Sequence, residues 1–537
     1  MKTVPVIQPL PAAPTPAAVQ TLPANLRRFL YLTSALTGAA ILIVEILGAK
    51  MLSPYVGTSH FVWTAQITVT LVALATGYYL GGWLADRSPG LDRMYVCILG
   101  GAIYLCATVP LCRSVAYACL EFRLAVGSLL AALFLFFVPL TLLATVGPFL
   151  VRNFTRSVDS VGGMVGRLSA ISTLGSVGGT LLIGYVLIPH LPNSMTMYLT
   201  AITLMTVVVL YWFGVRPQPA KSLAKALVVV GLFAGLATGF AGVHHDVRVE
   251  IPNFEELERR NSNFGEMIVI QHTNQLVRYY LNDFLTQNTY DPMRKQSLSM
   301  FTYMLHGLAR TYTPKLERAL CIGLGVGIVP MALAKDGVSV DVVEINPAMV
   351  GVAQRHFNLE PDKLHILIED GRPYLNRCTN RYDAVVLDAF LGDSSPSHLM
   401  TREAFQAMKQ VLNPNGTLVI NSFGDLTPGN DFFTASLERT LQSVFASVKI
   451  HTSTHGNVLF VASDRKPLEF VRQPDLTQVH DAAIIQTEAA YRTVAETQPG
   501  HGRILTDDFN PVEFYDAKNR EDIRRSLAFR MRDKDSD

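Results

Sequence analysis

A chain of 537 residues is too long for one domain, and its composition averages two unlike halves. Only 16% of the residues are charged, against about 25% in an ordinary soluble protein, and the deficit is concentrated between Phe29 and Val243. The net charge of +2 comes with no basic stripe, so no nucleic-acid partner is expected.

The first 28 residues hold Pro9, Pro11, Pro14, Pro16 and Pro23, have little to bury, and read as a disordered cytoplasmic tail. Residues 29–243 follow as an α-helical multi-pass membrane bundle of about seven helices. The apolar stretches are Phe29–Ala49, Phe61–Ala85, Met94–Cys112, Leu124–Val151, Leu168–Pro189, Met195–Val215 and Ala226–Val243. Each is near the roughly 20 residues that cross a hydrocarbon core, the last at the short limit. A cleaved signal peptide is excluded for the first, because a long tail precedes it and six more spans follow.

Short-loop cations set the orientation. Arg27, Arg28, Arg87, Arg93, Arg152, Arg156, Arg167, Arg216, Lys221 and Lys225 fall on one side, against Lys50, Arg113 and Arg123 on the other. The N-terminus is therefore expected in the cytoplasm of a multi-pass cell-membrane protein, with the lipid bilayer as a partner. Seven crossings would place the C-terminal half outside. An interfacial Ala226–Val243 would place it inside.

Glycines within the spans, Gly77, Gly81 and Gly82, then Gly175, Gly178, Gly179 and Gly184, predict close helix packing. The run from Gly77 through Gly81 to Asp86-Arg87 is similar to the glycine–Asp–Arg loop of major-facilitator transporters. Glu45, inside the first span, reads either as a substrate or proton site or as a structural bond to a neighbouring helix. The cysteines Cys97, Cys106, Cys112, Cys119, Cys321 and Cys378 form no Cys-x-x-Cys pair. The adjacent His244 and His245 read as interfacial, so no metal is expected.

Residues 244–290 read as a linker and a small β region, with a hairpin of Glu266–His272 and Val277–Asn282 turning near Thr273-Asn274. Residues 291–520 read as an α/β Rossmann-like, methyltransferase-type domain, and 521–537 as a charged tail. A helix over Ser297–Arg310 precedes the alternation. Strands are expected at Ala319–Ile322, Ser339–Glu344, Leu364–Ile368, Tyr382–Leu387, Thr417–Asn421 and Val458–Ala462. Helices contain Val329–Ala334, Asn346–Phe357 and Ala404–Leu412. That alternation predicts a parallel, doubly wound sheet with its crevice at the strands' carboxyl ends.

Four features stand at successive strand ends. Gly323, Gly325 and Gly327 form a turn that lets a helix N-terminus face a ligand. Glu344 lies twenty-one residues beyond Gly323, where an acid commonly grips ribose hydroxyls. Asp370 is placed for an adenine amino group, and Asp388 ends the fourth strand.

From Asn263 to Ser463 the chain resembles the polyamine aminopropyltransferases (spermidine synthases), particularly their membrane-fused relatives. The carriers are Leu281-Asn-Asp283, Cys321-Ile-Gly-Leu-Gly-Val-Gly327, Val343-Glu-Ile-Asn346, Glu369-Asp-Gly371, Asp383-Ala-Val-Val-Leu-Asp388 and Leu399-Met-Thr-Arg-Glu403. The resemblance implies a co-substrate, S-adenosylmethionine or its decarboxylated form, held by the glycine loop, Glu344 and Asp370. It also implies an acceptor amine such as putrescine, with Asp388 as the catalytic acid; a homodimer is left open. The family's amine-holding residues are exchanged: Val326 replaces an Asp, Leu391 a second acid, Gly265 a Gln and Phe301 a Tyr. Asp393, and Asp507 and Asp508 in Leu505-Thr-Asp-Asp-Phe-Asn-Pro511, are candidate substrate-binding acids. The tail motif reads equally as a turn cluster. A membrane-tethered transferase of an aminopropyl or methyl group is the expected function. The alternative is a transporter-like bundle with a nucleotide-sensing or silent domain. Sulfonium nucleotides are made in the cytoplasm, which opposes the charge-based sidedness.

Overall fold

The computed structural model describes residues 22–511 apart from 57–59, 120, 156–160, 217–228, 236, 239–252, 263, 284, 391–395, 453–455 and 499. Among the described residues, six helices are long and apolar enough to cross a membrane: α1 (Ala24–Ser53), α2 (Phe61–Arg87), α3 (Leu91–Cys119), α4 (Ala125–Phe154), α5 (Val161–Leu187) and α6 (Asn193–Val215). Most extend past the apolar runs read from the sequence, because the backbone keeps its hydrogen-bond ladder through flanking polar residues. Of the seventh expected span, Ala226–Val243, residues 229–235 and 237–238 are described and are helical. Of the expected disordered tail 1–28, residues 24–28 instead belong to α1, whose helical ladder continues through Arg27 and Arg28. Residues 1–21 lie outside the described residues, as do the expected charged tail 521–537, His244 and His245.

Within lipid there is no hydrophobic drive between helices, so close backbone approach supplies the attraction. A Cβ on Gly175 of α5 would stand 2.0 Å from the Ala35 carbonyl oxygen of α1, and one on Gly179 2.7 Å from that of Ala39. Gly77 makes the same approach to Thr141 of α4. Where the first helix begins, Tyr31 stacks on Phe154 with centroids 4.9 Å apart, and Asn153 Nδ2 donates to the Pro89 carbonyl at 2.9 Å. At that face Asp92, near the start of α3, accepts from Arg216 Nε at 2.9 Å and from the Tyr211 hydroxyl at 2.8 Å. The clamp pins the end of α6, with Tyr95 stacked on Tyr211 at 3.8 Å. At the opposite face Tyr55 meets Tyr117 edge to face at 5.5 Å. Glu45 is half-buried, one turn before Gly48, where the fully buried Gln66 amide of α2 packs. Asp86 of the glycine–Asp–Arg run stands 3.8 Å from Arg152.

The C-terminal half opens with an antiparallel meander of β1 (Phe254–Ser262), β2 (Gly265–His272), β3 (Arg278–Asn282), β4 (Leu285–Asp291) and β5 (Gln296–Ser297). The expected hairpin is its β2–β3 pair. Beyond α7 (Met300–Tyr312) comes the large sheet: β6 (Arg318–Ile322), β7 (Ser339–Glu344), β8 (His365–Ile368), β9 (Tyr382–Leu387), β10 (Leu412–Phe423), β11 (Ser447–Thr452), β12 (Asn457–Ser463) and β13 (Val494–Ala495). Their spatial order is β13-β11-β12-β10-β9-β6-β7-β8. The connecting helices are α8 (Ile328–Lys335), α9 (Pro347–His356), α10 (Gly371–Arg377), α11 (Arg402–Gln410), α12 (Phe432–Gln442) and α13 (Asp481–Arg492).

The sheet is mixed, not wholly parallel as expected. β6 to β10 run parallel, but β12 is antiparallel to both β10 and β11. Only residues 453–456 join β11 to β12, too few for a crossover, so the pair must form a hairpin. Successive strand residues feed opposite cores. Cys321 and Val342 pack with Leu308 and Leu333 on one face; Ile322 and Val343 pack with Leu375 and Phe405 on the other.

The meander also seats on the bundle. Asn261 Nδ2 donates to the Leu191 carbonyl, in the turn between α5 and α6, at 2.9 Å. A small cavity at this seat is lined by Lys50 and Ser53 from α1, by Ile188 and Asn193, and by Ser262, Gly265, Glu266 and Asp283. Replacing Gly175 by Val should force α1 and α5 apart and markedly lower the yield of monodisperse detergent-extracted protein. The same change at Gly178, which has nothing within 4 Å of its Cβ position, should leave that yield intact in size-exclusion chromatography.

Candidate active site

The cleft opens where the sheet's winding reverses, at the carboxyl ends of β6 to β10, and encloses about 1200 Å³, part of it open to solvent. Its first wall is the turn from β6 to α8. Gly323, Gly325 and Gly327 have φ of 98°, 53° and 87°, the left-handed region that side chains oppose. At Gly323 space forbids a side chain as well: a Cβ would lie 2.2 Å from the Asp388 carbonyl oxygen.

Glu344 ends β7, with 8% of its surface exposed. One carboxylate oxygen accepts from the Leu324 backbone N–H at 2.9 Å, the other from that of Asn346 at 2.7 Å. Burial raises the carboxyl's pKa, and these backbone bonds oppose the rise. With a further backbone bond from Ile345, the carboxylate still has acceptor capacity left for a ligand hydroxyl. Asn346 is tied in turn to the meander, its amide 3.2 Å from Ser262 Oγ. Asp370 caps α10 by accepting from the Arg372 N–H at 2.7 Å, and its other oxygen stands 3.2 Å from His398 Nε2. It also lines the cleft, so capping and ligand binding are not exclusive.

Asp388 directly follows the last residue of β9, deep in the domain yet facing the cleft. Burial pushes its carboxyl up to about 6, while the Asn421 amide, donating to it at 2.8 Å, pulls the other way. Asn421 Oδ1 accepts from Asn457 Nδ2 at 2.9 Å, which fixes which end of the Asn421 amide faces the acid. Sequence reasoning missed both asparagines. Their signal was a polar residue closing the apolar run Leu418-Val419-Ile420 and another opening Val458–Ala462. Phe390 and Phe423, with centroids 5.0 Å apart, wall this end of the cleft with Phe301.

The other expected site residues separate. Val326 and Phe301 line the cleft. Gly265 does not line it: its φ is 109° and a Cβ would meet Asn282 Oδ1 at 2.5 Å, so no Gln fits there. Asp507 and Asp508 also lie off the cleft wall. Asp507 accepts from Arg372 Nη2 at 2.8 Å and from the Thr401 hydroxyl at 2.6 Å, strapping the tail motif across the starts of α10 and α11. Asp393 and Leu391 lie outside the described residues.

A methyltransferase-type sheet with a glycine turn and the buried acids Glu344 and Asp388 lining one cleft is the architecture of a group transferase of the Rossmann-like class. The family described as "Spermine/spermidine synthase domain" matches residues 298–455. A polyamine aminopropyltransferase of Vibrio vulnificus (strain CMCP6) is 33% identical over 234 residues, covering 41% of this chain and 77% of that one. Polyamine aminopropyltransferase 2 of Aquifex aeolicus (strain VF5) is 21% identical over 449 residues, covering 81% of this chain and 87% of that one. An N-terminal histidine N-methyltransferase of Emericella nidulans is 33% identical over 150 residues, 27% of this chain and 26% of that one. The chain belongs to the polyamine aminopropyltransferase family.

The raised Asp388 carboxyl carries a stability signature. Its folded pKa of about 6 exceeds the ordinary value of 3.8, so its contribution is fully present below about pH 4 and is lost as the pH rises through 6. The loss is on the order of 3 kcal/mol, from about two pKa units. Asp388→Asn should remove that part of the pH dependence, so melting scans from pH 4 to 8 should show the variant gaining on wild type as the pH rises.

Proposed function

We propose that this protein is a membrane-tethered transferase that moves an aminopropyl or methyl group from a sulfonium nucleoside to an amine. The supporting observation is Asp388, a carboxyl facing the cleft beside the nucleotide turn and titrating near 6. In the transfer the amine nitrogen attacks a carbon bound to the sulfonium sulfur. The new C–N bond forms as the C–S bond breaks, and the sulfur leaves as a neutral thioether. The nitrogen sheds a proton, which the Asp388 carboxylate accepts. A base near pKa 6 is deprotonated at neutral pH and stronger than an ordinary carboxylate.

The glycine turn, Glu344 and Asp370 form the nucleoside end of the site, with S-adenosylmethionine or its decarboxylated form as donor and putrescine or another amine as acceptor. The donor is not held against a negative charge at Val326, since that side chain is apolar and buried in the cleft wall. A nucleotide sensor would need the nucleoside end alone. The Asn457–Asn421–Asp388 chain gives the transferase reading its support.

Two substitutions separate binding from chemistry. Glu344→Ala should weaken methylthioadenosine binding by about ten- to a hundredfold in calorimetry, the range for a lost hydrogen bond to a charged group. Asp388→Asn should keep that affinity and lower turnover by about 10²–10⁴-fold, assayed on full-length protein in membranes with a panel of di- and polyamines. Wild-type turnover should rise with pH through about 6. Intact turnover in Asp388→Asn would remove the base from the mechanism.

Val326→Asp should shift preference from S-adenosylmethionine toward the decarboxylated donor, whose free ammonium end an acid attracts and whose missing carboxylate it need not repel. Competition between the two donors in the same membranes measures the shift. An unchanged ratio would assign donor choice to another residue.

A further inference from the structure

The path of the chain through the bundle settles which face carries the transferase domain. Starting from the face where α1 begins, α1, α3 and α5 run outward and α2, α4 and α6 return. The chain therefore leaves α6 at the starting face, where Arg216 is held on Asp92 at the foot of α3. It does not stay there. Gly231 packs against Leu99 and Ile103 of α3, its Cβ position 3.2 Å and 3.1 Å from their side chains. Four residues on, Gly235 packs against Met205 of α6, with Cys106 of α3 at 3.9 Å. Leu99 lies about 12 Å and Cys106 about 22 Å along α3 from Leu91, at 1.5 Å per residue. Residues 231–235 thus climb away from the starting face alongside α3, with glycines at the points of closest approach.

The domain's seat agrees. Asn261 bonds to Leu191, in the turn between α5 and α6, and the cavity beside it is closed by Lys50 and Ser53 at the outer end of α1. Both belong to the far face. The cation asymmetry then fixes the compartments. Among the described residues, seven short-loop Arg (Arg27, Arg28, Arg87, Arg93, Arg152, Arg167 and Arg216) lie at the starting face, against Lys50, Arg113 and Arg123 at the far one.

We infer that the segment around Gly231 and Gly235 is a seventh crossing, and that the transferase domain is seated on the extracytoplasmic face. The donor, a charged nucleoside made inside, then has to reach the site by a transport step across the bilayer. The inference concerns where the domain sits and stands independently of the group transferred.

The test uses the full-length chain in intact cells and a membrane-impermeant maleimide. Ile485 on α13 is 78% exposed, and Gly90, in the turn between α2 and α3, is exposed with nothing within 4 Å of its Cβ position, so a cysteine is tolerated at either. In a Cys378→Ser background, Ile485→Cys should label in intact cells and Gly90→Cys only after permeabilisation. The reverse pattern, or both sites sharing one accessibility, overturns the inference. A second measurement tests the seat. The pair Leu191→Cys and Asn261→Cys should cross-link in native membranes under mild oxidant, and absence of the cross-link in inserted protein overturns the seating.

Discussion

The close passage of two strand ends governs the transferase half. Gly323 lies so near the carbonyl of Asp388 that no side chain fits between them, and the Asp388 N–H donates to Ile322 at 2.9 Å. On the other flank the Gly323 N–H donates to Val343 at 2.8 Å. The glycine is thus held on both sides by the neighbours of β6. The same contact brings the glycine turn beside the Asp388 carboxyl, the two groups on which the proposed transfer depends. Positioning of this kind is worth more to a displacement reaction than any single contact, because attack and departure must be in line. Everything else in the cleft refines that placement. Glu344 ties the turn to β7, Asn421 and Asn457 aim the acid, and outside the cleft Asp507 joins the starts of α10 and α11.

The two halves satisfy polar groups by opposite means. In the bundle, hydroxyls bond back to their own helix, as Thr37 does to Thr33 and Thr200 to Thr196, and small residues let neighbouring backbones close in. In the transferase half, acids satisfy backbone N–H groups at strand and helix ends. Glu344 and Asp370 do so within the cleft, and Asp383 does so at the far end of β9 by accepting from Glu317 and Arg318. An acid at a strand end is therefore not in itself a functional sign; among the described residues, Asp388 differs in accepting from a side-chain amide, that of Asn421.

Legibility followed from how each element is stabilised. β7 and β9 are short Val-rich strands largely buried on both faces, and their limits were read to the residue. β1 was missed because it is held by ion pairs: Arg259 with Glu256 and Glu266, and Glu258 with Arg355 and His356. Such a strand reads as a solvated loop. α10 was hidden by Gly371 and Pro373 in its first turn, where helix breakers are tolerated. The antiparallel β12 was readable as a strand but not in direction, since direction depended on the short link to β11. In the site, the glycines and acids carried recognisable chemistry. The asparagines that orient Asp388 did not, because an amide has no reactivity of its own and acts only through its neighbour.

The seat of the meander on the bundle makes the two halves thermodynamic partners. From the Leu191 carbonyl, contact runs through Asn261 to its neighbour Ser262, across to the Asn346 amide, and from the Asn346 N–H to Glu344. A change in the turn between α5 and α6 thus has a short covalent and hydrogen-bonded route to the acid at the nucleoside end. Coupling of this kind is reciprocal in free energy: whatever factor a bundle ligand exerts on nucleoside affinity, the nucleoside exerts on that ligand. The bundle is then joined to the cleft by hydrogen bonds as well as by the chain itself.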